Sequence, residues 1–404
     1  MAAVEQAQGS WPVADWPRST PEDEGIDGAA LEAIEDAHET DHPWLDALVV
    51  VRHGRLVWER YHNGYDRDTP HQCKSCTKSM LSTLVGIALE RGVLPSLDVP
   101  IRGYLTEYLV DGVDPRKGDI TIGDALRMRS GLDWFENDER TGRWIASADP
   151  IAFTFASDEQ PVVAPPGERW RYSTADSQLV GECLARAAGR ALTELAREWL
   201  LDPIGAKGWY WPSEVGKPWG WEREPAGSEL HLRPVDHARL GLLTLRGGEW
   251  DGRSIVSRGW LDLATSGQEG LDVCEVRREE ERHPAWELLP RYGLHWWRGT
   301  FGGRDTIAAV GYGGQFCFIV PALDLVVVHH SSIVYERELQ EAIAAAREDG
   351  RLDENDQPVG DEARRFFAEL GERMVAGRAA REIPDGIAGG LTLMDQVIVP
   401  AVDM

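Results

Sequence analysis

The chain is poor in lysine: of its 42 basic residues only five, Lys74, Lys78, Lys117, Lys207 and Lys217, are lysines, against 68 acidic residues and a formal net charge of −26. A charge of that sign argues against binding nucleic acid or anionic membrane, both of which want clustered positive charge, so neither is an expected partner. It fits either a heavily solvated acidic surface or adaptation to high salt, where screening relieves self-repulsion. No stretch approaches eighteen uncharged apolar residues, which argues against a membrane-spanning helix. The opening MAAVEQAQGSWPVADWPRS lacks a basic segment followed by an apolar one, so the expected location is cytoplasmic. The five cysteines, Cys73, Cys76, Cys183, Cys274 and Cys317, are odd in number and scattered, as reduced thiols are and a disulfide framework is not.

What is present is a globular composition, 42% hydrophobic with 42 glycines, in a chain of 404 residues. DGAALEAIEDAHE has helical periodicity. LDALVVVRHGRLVWERYHNG reads as strands 46–52 and 55–62 around a tight turn at His53-Gly54. Apolar residues at Met80, Leu81, Leu84, Val85, Ile87 and Ala88 mark a buried helix over 75–91, stopped by Gly92. Further helices are expected at 178–188, 192–201, 234–246 and 335–348. Strands are expected beyond residue 285 in YGLHWWRG, DTIAAVG, QFCFIVPA and LDLVVVHHSS. Strands at both ends of a helical middle imply one sheet completed by distant parts of the chain. The helical part would be an insertion beside it, with a cleft between. The expected division is a sheet domain from 20–75 and 261–350, a mainly helical subdomain from 76–260, and a charged helical extension from 351–404.

The stretch HQCKSCTKSM carries two chemistries. Cys73 and Cys76 form a C-x-x-C pair, but a structural zinc site needs four ligands, and here there is no second pair and only His71 nearby. Two small buried thiols at a helix start is the better reading, and no metal or cofactor is expected. Ser75 and Lys78 form an S-x-x-K pair, and Lys78 is the one lysine with a serine three residues before it. Both fall in the first turn of the buried helix, on one face. Free N–H groups and the positive end of the helix dipole stabilise an oxyanion there and disfavour a charged Lys78. A neutral lysine can take the serine proton. On this motif alone, a helix-capping serine beside a surface lysine is an equal alternative.

The chain resembles the serine β-lactamase and penicillin-binding-protein superfamily, most of all the esterases and 6-aminohexanoate-dimer hydrolases of its class C-like branch. The likeness runs through HQCKSCTKSMLSTLVGIALERGVLPSLDVPIRGYL, ITIGDALRMRSGLDW, PPGERWRYSTADSQLVGECL and AVGYGGQFCFIVPALDLVVV, in the family's order, over roughly residues 20–350. It implies an α+β, β-lactamase/transpeptidase-like fold: an antiparallel sheet flanked by helices with an inserted helical subdomain. It also implies Tyr172 as the group that relays protons between Ser75, Lys78 and the leaving group. The family's Y-x-N falls on Tyr172-Ser173-Thr174, with Thr174 where asparagine is usual. The K-T-G motif has no lysine here and falls on Gly311-Tyr312-Gly313-Gly314-Gln315, where one backbone amide would join that of Ser75 in an oxyanion hole. One register makes Gln315 that donor and another makes it Tyr312.

The resemblance therefore implies a serine hydrolase of esters or linear amides, with a small-molecule substrate, no cofactor, and Ser75, Lys78 and Tyr172 as its catalytic residues. Tyr312, Gly313, Gly314, Gln315, Thr174 and Trp134 are its candidate substrate-binding residues. The acidic loop Phe135-Glu136-Asn137-Asp138-Glu139 either greets an amino group on the substrate or is simply solvated. The alternatives are a β-lactamase or D-alanyl-D-alanine peptidase, a non-catalytic sensor that keeps the pocket, and, most distant, a metal or redox site.

Overall fold

Strands from the two ends of the chain meet in one antiparallel sheet. A computed structural model describes residues 11–402 except 137, 157–159, 213–222, 277–286 and 332–384, a last stretch in which only 345, 349–351 and 365 are described. The sheet holds β1 (Leu45–Arg52), β2 (Arg55–Tyr61), β3 (Arg291–Tyr292), β4 (Trp297–Phe301), β5 (Arg304–Gly311), β6 (Gln315–Val320) and β7 (Leu325–Ser331). Its order is β2-β1-β7-β6-β5-β4-β3, so β1 lies between its own hairpin partner and the last strand, with Val49 opposite Val328. The turn between β1 and β2 places His53 and Gly54 both at positive φ, +51° and +75°, the geometry that matches a two-residue hairpin to strand twist.

The sheet is covered on both faces, which is why β1, β6 and β7 read as continuous apolar runs rather than alternating ones. Successive residues still part company. Val49, Val51, Cys317, Ile319, Val326 and Val328 face a core built with the helices α2 (Cys76–Glu90), α3 (Thr174–Ala188) and α4 (Pro234–Leu245). Leu48, Val50, Phe316, Phe318 and Val327 face a second core that includes α1 (Gly28–Asp36) and the end of the chain. Thirteen consecutive residues of α2, Cys76 to Ala88, are buried, so this helix is enclosed all round.

Two expectations need amendment. The helix expected over 192–201 is α-helical over Leu192–Ala196 and widens to a π-turn over Arg197–Leu201. The strand expected in YGLHWWRG is broken: the Gly293 amide bonds the Trp296 carbonyl, closing a turn that turns His295 left-handed (φ +61°) and splits β3 from β4. The break brings the His295 carbonyl to the Ser79 hydroxyl of α2 at 2.7 Å. The charged tail, whose role the sequence left open, ends in α5 (Asp385–Leu393) and a further turn, where Leu391, Met394, Ile398 and Val399 fill the outer core. The helix expected over 335–348 lies outside the described residues.

Gly311, the last residue of β5, touches the loop that leads into α2. A Cβ there would stand 2.5 Å from the Cys73 carbonyl oxygen and 3.0 Å from Lys74 Cβ. Gly311→Ala is expected to lower the unfolding free energy by about 1–3 kcal/mol, the usual range for overpacking, read from urea denaturation; an unchanged midpoint would show that the loop yields freely.

Candidate active site

The entry to α2 is held in place before the helix begins. His71-Gln72 pairs with His231-Leu232, and the Cys73 amide bonds the Leu230 carbonyl at 2.8 Å. Lys74 then takes a left-handed φ of +48°, rare for a side chain of its size, and turns the chain sharply into Ser75. The amides of Cys76, Thr77 and Lys78 are occupied by the carbonyls of Cys73, Lys74 and Ser75. Ser75 holds the N-cap position, yet its side chain makes no capping bond. Its Oγ instead meets Lys78 Nζ at 2.8 Å.

Lys78 is 1% exposed. Its Nζ has two further partners, Thr174 Oγ1 at 3.0 Å and the Gly227 carbonyl at 2.9 Å. Burial brings the amine down to about 8, against a smaller opposing pull from Glu136. The surface-lysine alternative is thereby removed. Gly227, for which the sequence carried no signal, is closely packed: a Cβ would stand about 3.1 Å from both Ser177 Cβ and Thr174 Cγ2.

Tyr172 and Thr174 flank Ser173, whose hydroxyl caps α3 by accepting from the Asp176 amide. The capping bond fixes the helix start, so Tyr172 and Thr174 approach Lys78 together. The half-buried Tyr172 ring centres 5.1 Å from Nζ and packs against Tyr292 and Trp297. Glu136, from the acidic loop, accepts from the Thr174 amide at 2.6 Å, the Thr174 hydroxyl at 2.7 Å and the Trp134 indole N–H at 2.5 Å. Trp134 is itself fully buried, edge-on to Trp144, and is joined to Thr174 through that carboxylate.

The third group of candidates forms the turn between β5 and β6. Gly313 and Gly314 sit at φ +77° and +91° and Gly311 pairs with Gln315. The Gln315 side chain donates to the Ser331 carbonyl at 2.7 Å. Its main chain does approach α2, since its carbonyl accepts from the Cys76 thiol at 3.2 Å. Tyr312 is half-buried at the turn.

The cysteines next to Ser75 are free and buried. Burial pushes Cys73 up to about 12 and Cys76 well above its ordinary value, the reverse of what a thiolate nucleophile needs. Cys73, His237 and His330 have donor atoms within 4.8 Å of one another. Yet His237 Nδ1 and His330 Nε2 are 2.9 Å apart, a hydrogen bond and closer than the roughly 3.3 Å that two imidazoles keep around tetrahedral zinc. His71, the extra candidate ligand, is hydrogen-bonded to Asp46 at 2.9 Å.

An antiparallel sheet covered by helices, with a buried helix that opens on a contacting Ser-x-x-Lys pair, defines the class of the β-lactamases and penicillin-binding proteins. The chain belongs to the Beta-lactamase family, whose model matches residues 45–351. It is 24% identical over 304 residues to the 6-aminohexanoate-dimer hydrolase of Paenarthrobacter ureafaciens, covering 71% of this chain and 72% of that one. Among solved structures, a Bacillus anthracis protein assigned as a 6-aminohexanoate-dimer hydrolase superposes with a TM-score of 0.61 at 20% identity, covering 91% and 89% of the two chains. A D-stereospecific amidohydrolase from Streptomyces sp. superposes with a TM-score of 0.58 at 16% identity, covering 76% and 94%.

Asp176 anchors the site from below, accepting from the Ser130 and Ser173 hydroxyls, each at 2.7 Å. Burial nevertheless raises it to about 7 from an ordinary 3.8. Between those values the unfolded chain has lost a proton that the folded chain keeps, so this group's contribution to stability falls as pH rises. Asp176→Asn should therefore gain on the wild type by roughly 1.4 kcal/mol per pH unit between about pH 4 and 7, and by nothing more above that. Urea melts of both proteins across that window test it, a pH-independent difference being the contrary result.

Proposed function

We propose that the protein is a serine hydrolase that cleaves carboxylic esters or linear amides through a covalent acyl-enzyme. The observation that carries this reading is the 2.8 Å contact between Ser75 Oγ and the Nζ of a fully buried Lys78. At about 8, the amine is neutral in roughly a tenth of molecules at pH 7, and the neutral form accepts the serine proton. Oγ then attacks the carbonyl carbon and the O–H proton passes to Lys78. Collapse of the tetrahedral adduct expels an alcohol or amine, protonated through Tyr172 from Lys78. Water reverses these steps to free Ser75.

The developing oxyanion needs two donors. We assign them to the backbone amides of Ser75 and Gln315: helix-start amides beyond Ser75 are already used, and the Gln315 main chain lies against Cys76. Tyr312 stands where a β-lactamase has its lysine, the partner of a substrate carboxylate, which favours neutral esters and linear amides over β-lactams. The names of the relatives, an amide-dimer hydrolase and an amidohydrolase, point the same way. A sensor that only binds has no use for an amine desolvated beside a serine.

A fluorophosphonate probe should add one adduct mass to the wild type and none to Ser75→Ala, at high and low salt alike. Failure to label folded wild-type protein in either salt would overturn the reading. In addition, kcat/KM on an activated ester should climb tenfold per pH unit up to about pH 8 and level off above it, because only neutral Lys78 is a base. Lys78→Met should lose about 10²–10⁴-fold, the usual contribution of a positioned base.

A further inference from the structure

The direction of every hydrogen bond around Lys78 follows from the chemistry of its neighbours. The Gly227 carbonyl can only accept. Thr174 Oγ1 has one proton, and it lies 2.7 Å from a carboxylate oxygen of Glu136 that can likewise only accept. That proton is committed to Glu136, so Thr174 turns a lone pair toward Lys78 Nζ, 3.0 Å away. A neutral amine has two N–H bonds and one lone pair. With the two N–H bonds drawn to Thr174 and Gly227, the lone pair is left for the third neighbour, Ser75 Oγ.

We propose that Glu136 is a positioning residue: acting through Thr174, it fixes the polarity of the Ser75–Lys78–Thr174 chain so that neutral Lys78 aims its lone pair at the serine proton. The inference rests on the serine-hydrolase reading above. Glu136 is well secured for the task. Its Oε1 takes the Thr174 amide at the positive end of α3 and the Trp134 indole N–H, which leaves Oε2 alone for the Thr174 hydroxyl. The same carboxylate is the acidic group whose charge pulls the amine upward. The other titratable groups about Lys78 are Cys76 on its own helix, Tyr172 and Asp176 at the start of α3, and His295 from the β3–β4 break. Burial keeps the Cys76 thiol and the His295 imidazole neutral, the latter at about 3.

Glu136→Gln replaces the carboxylate with an isostere of the wrong polarity. Two N–H donors already point at the Oε1 position, so the amide oxygen takes that place and the NH₂ faces Thr174 Oγ1. Thr174 then accepts from the introduced side-chain amide, and its own proton is released toward the Lys78 lone pair, in competition with Ser75. Removing the charge also lets the amine lose its proton more readily.

The test uses ¹⁵N-lysine-labelled full-length protein, in which only five lysines appear and a Lys78→Met variant assigns the signal. Lys78 should titrate near 8 in the wild type and about one pH unit or more lower in Glu136→Gln. On an ester, kcat/KM of the variant should be at least about tenfold lower above both midpoints, where the lysine is neutral in both proteins. A carboxylate that merely capped α3 would change the melting temperature and leave the plateau alone. An unchanged midpoint, or an undiminished plateau, overturns the proposal. Should Glu136→Gln not fold, Thr174→Val keeps the main-chain bond to Glu136 and removes only the hydroxyl. It should lose a similar plateau factor, with Thr174→Ser restoring most of it, and a full plateau in Thr174→Val again overturns the proposal. The Lys78 titration needs no turnover, so it stands apart from failure of fluorophosphonate labelling, which would count against the hydrolase reading alone.

Discussion

An amine kept out of water is the constraint around which the site is arranged. Lys78 lies in the first turn of a helix enclosed on every side, and taking a cation there is costly unless the surroundings offer acceptors. Three are supplied: a hydroxyl from its own helix, a hydroxyl from α3 and a carbonyl from the Gly227 loop. They satisfy an ammonium without matching the hydration it has lost, which is why the amine is brought to the threshold between its two forms. Each of the three comes from a different part of the chain, so the titration of one side chain depends on the packing of the whole helical layer against the sheet.

That packing is made from small residues at the points of closest approach. Gly311 lets β5 end against the Cys73 carbonyl, and Gly227 lets its loop come within reach of the lysine without displacing Thr174. The left-handed Lys74 completes the arrangement by aiming Ser75 out of the helix start instead of into a cap. Local strain at Lys74 and close contact at Gly311 are opposite sides of one joint between loop and strand.

Much of this was legible in the sequence, and what was not has a physical reason. The β1–β2 hairpin, the buried α2 and the strands β5 to β7 announce themselves through apolar runs and turn residues. The Ser75–Lys78 pairing follows from helical spacing, which brings residues three apart onto one face. Tyr172 and Thr174 were placed by family likeness rather than by any local pattern. Glu136 stood out only as part of an acidic loop in an acidic protein, because its role depends on a contact across 38 residues of chain. Gly227 was invisible, since a carbonyl partner leaves no trace in side-chain chemistry. The break at His295 and the return of residues 391–399 to the outer core likewise arise from tertiary contacts that no window of sequence contains.

The strand order carries a consequence for how the chain is made. The apolar strand β1 leaves a ribosome long before the neighbour that completes it, β7, which ends at Ser331, and the helix that seals the outer face ends later still. Until then one edge of β1 is an open template of unpaired amides and carbonyls, of the kind that recruits other strands. Contacts this distant in sequence form slowly and favour a long-lived, incompletely closed intermediate during synthesis. The acidic composition has a second use in that interval: like charges on every nascent copy hold the open edges of neighbouring chains apart.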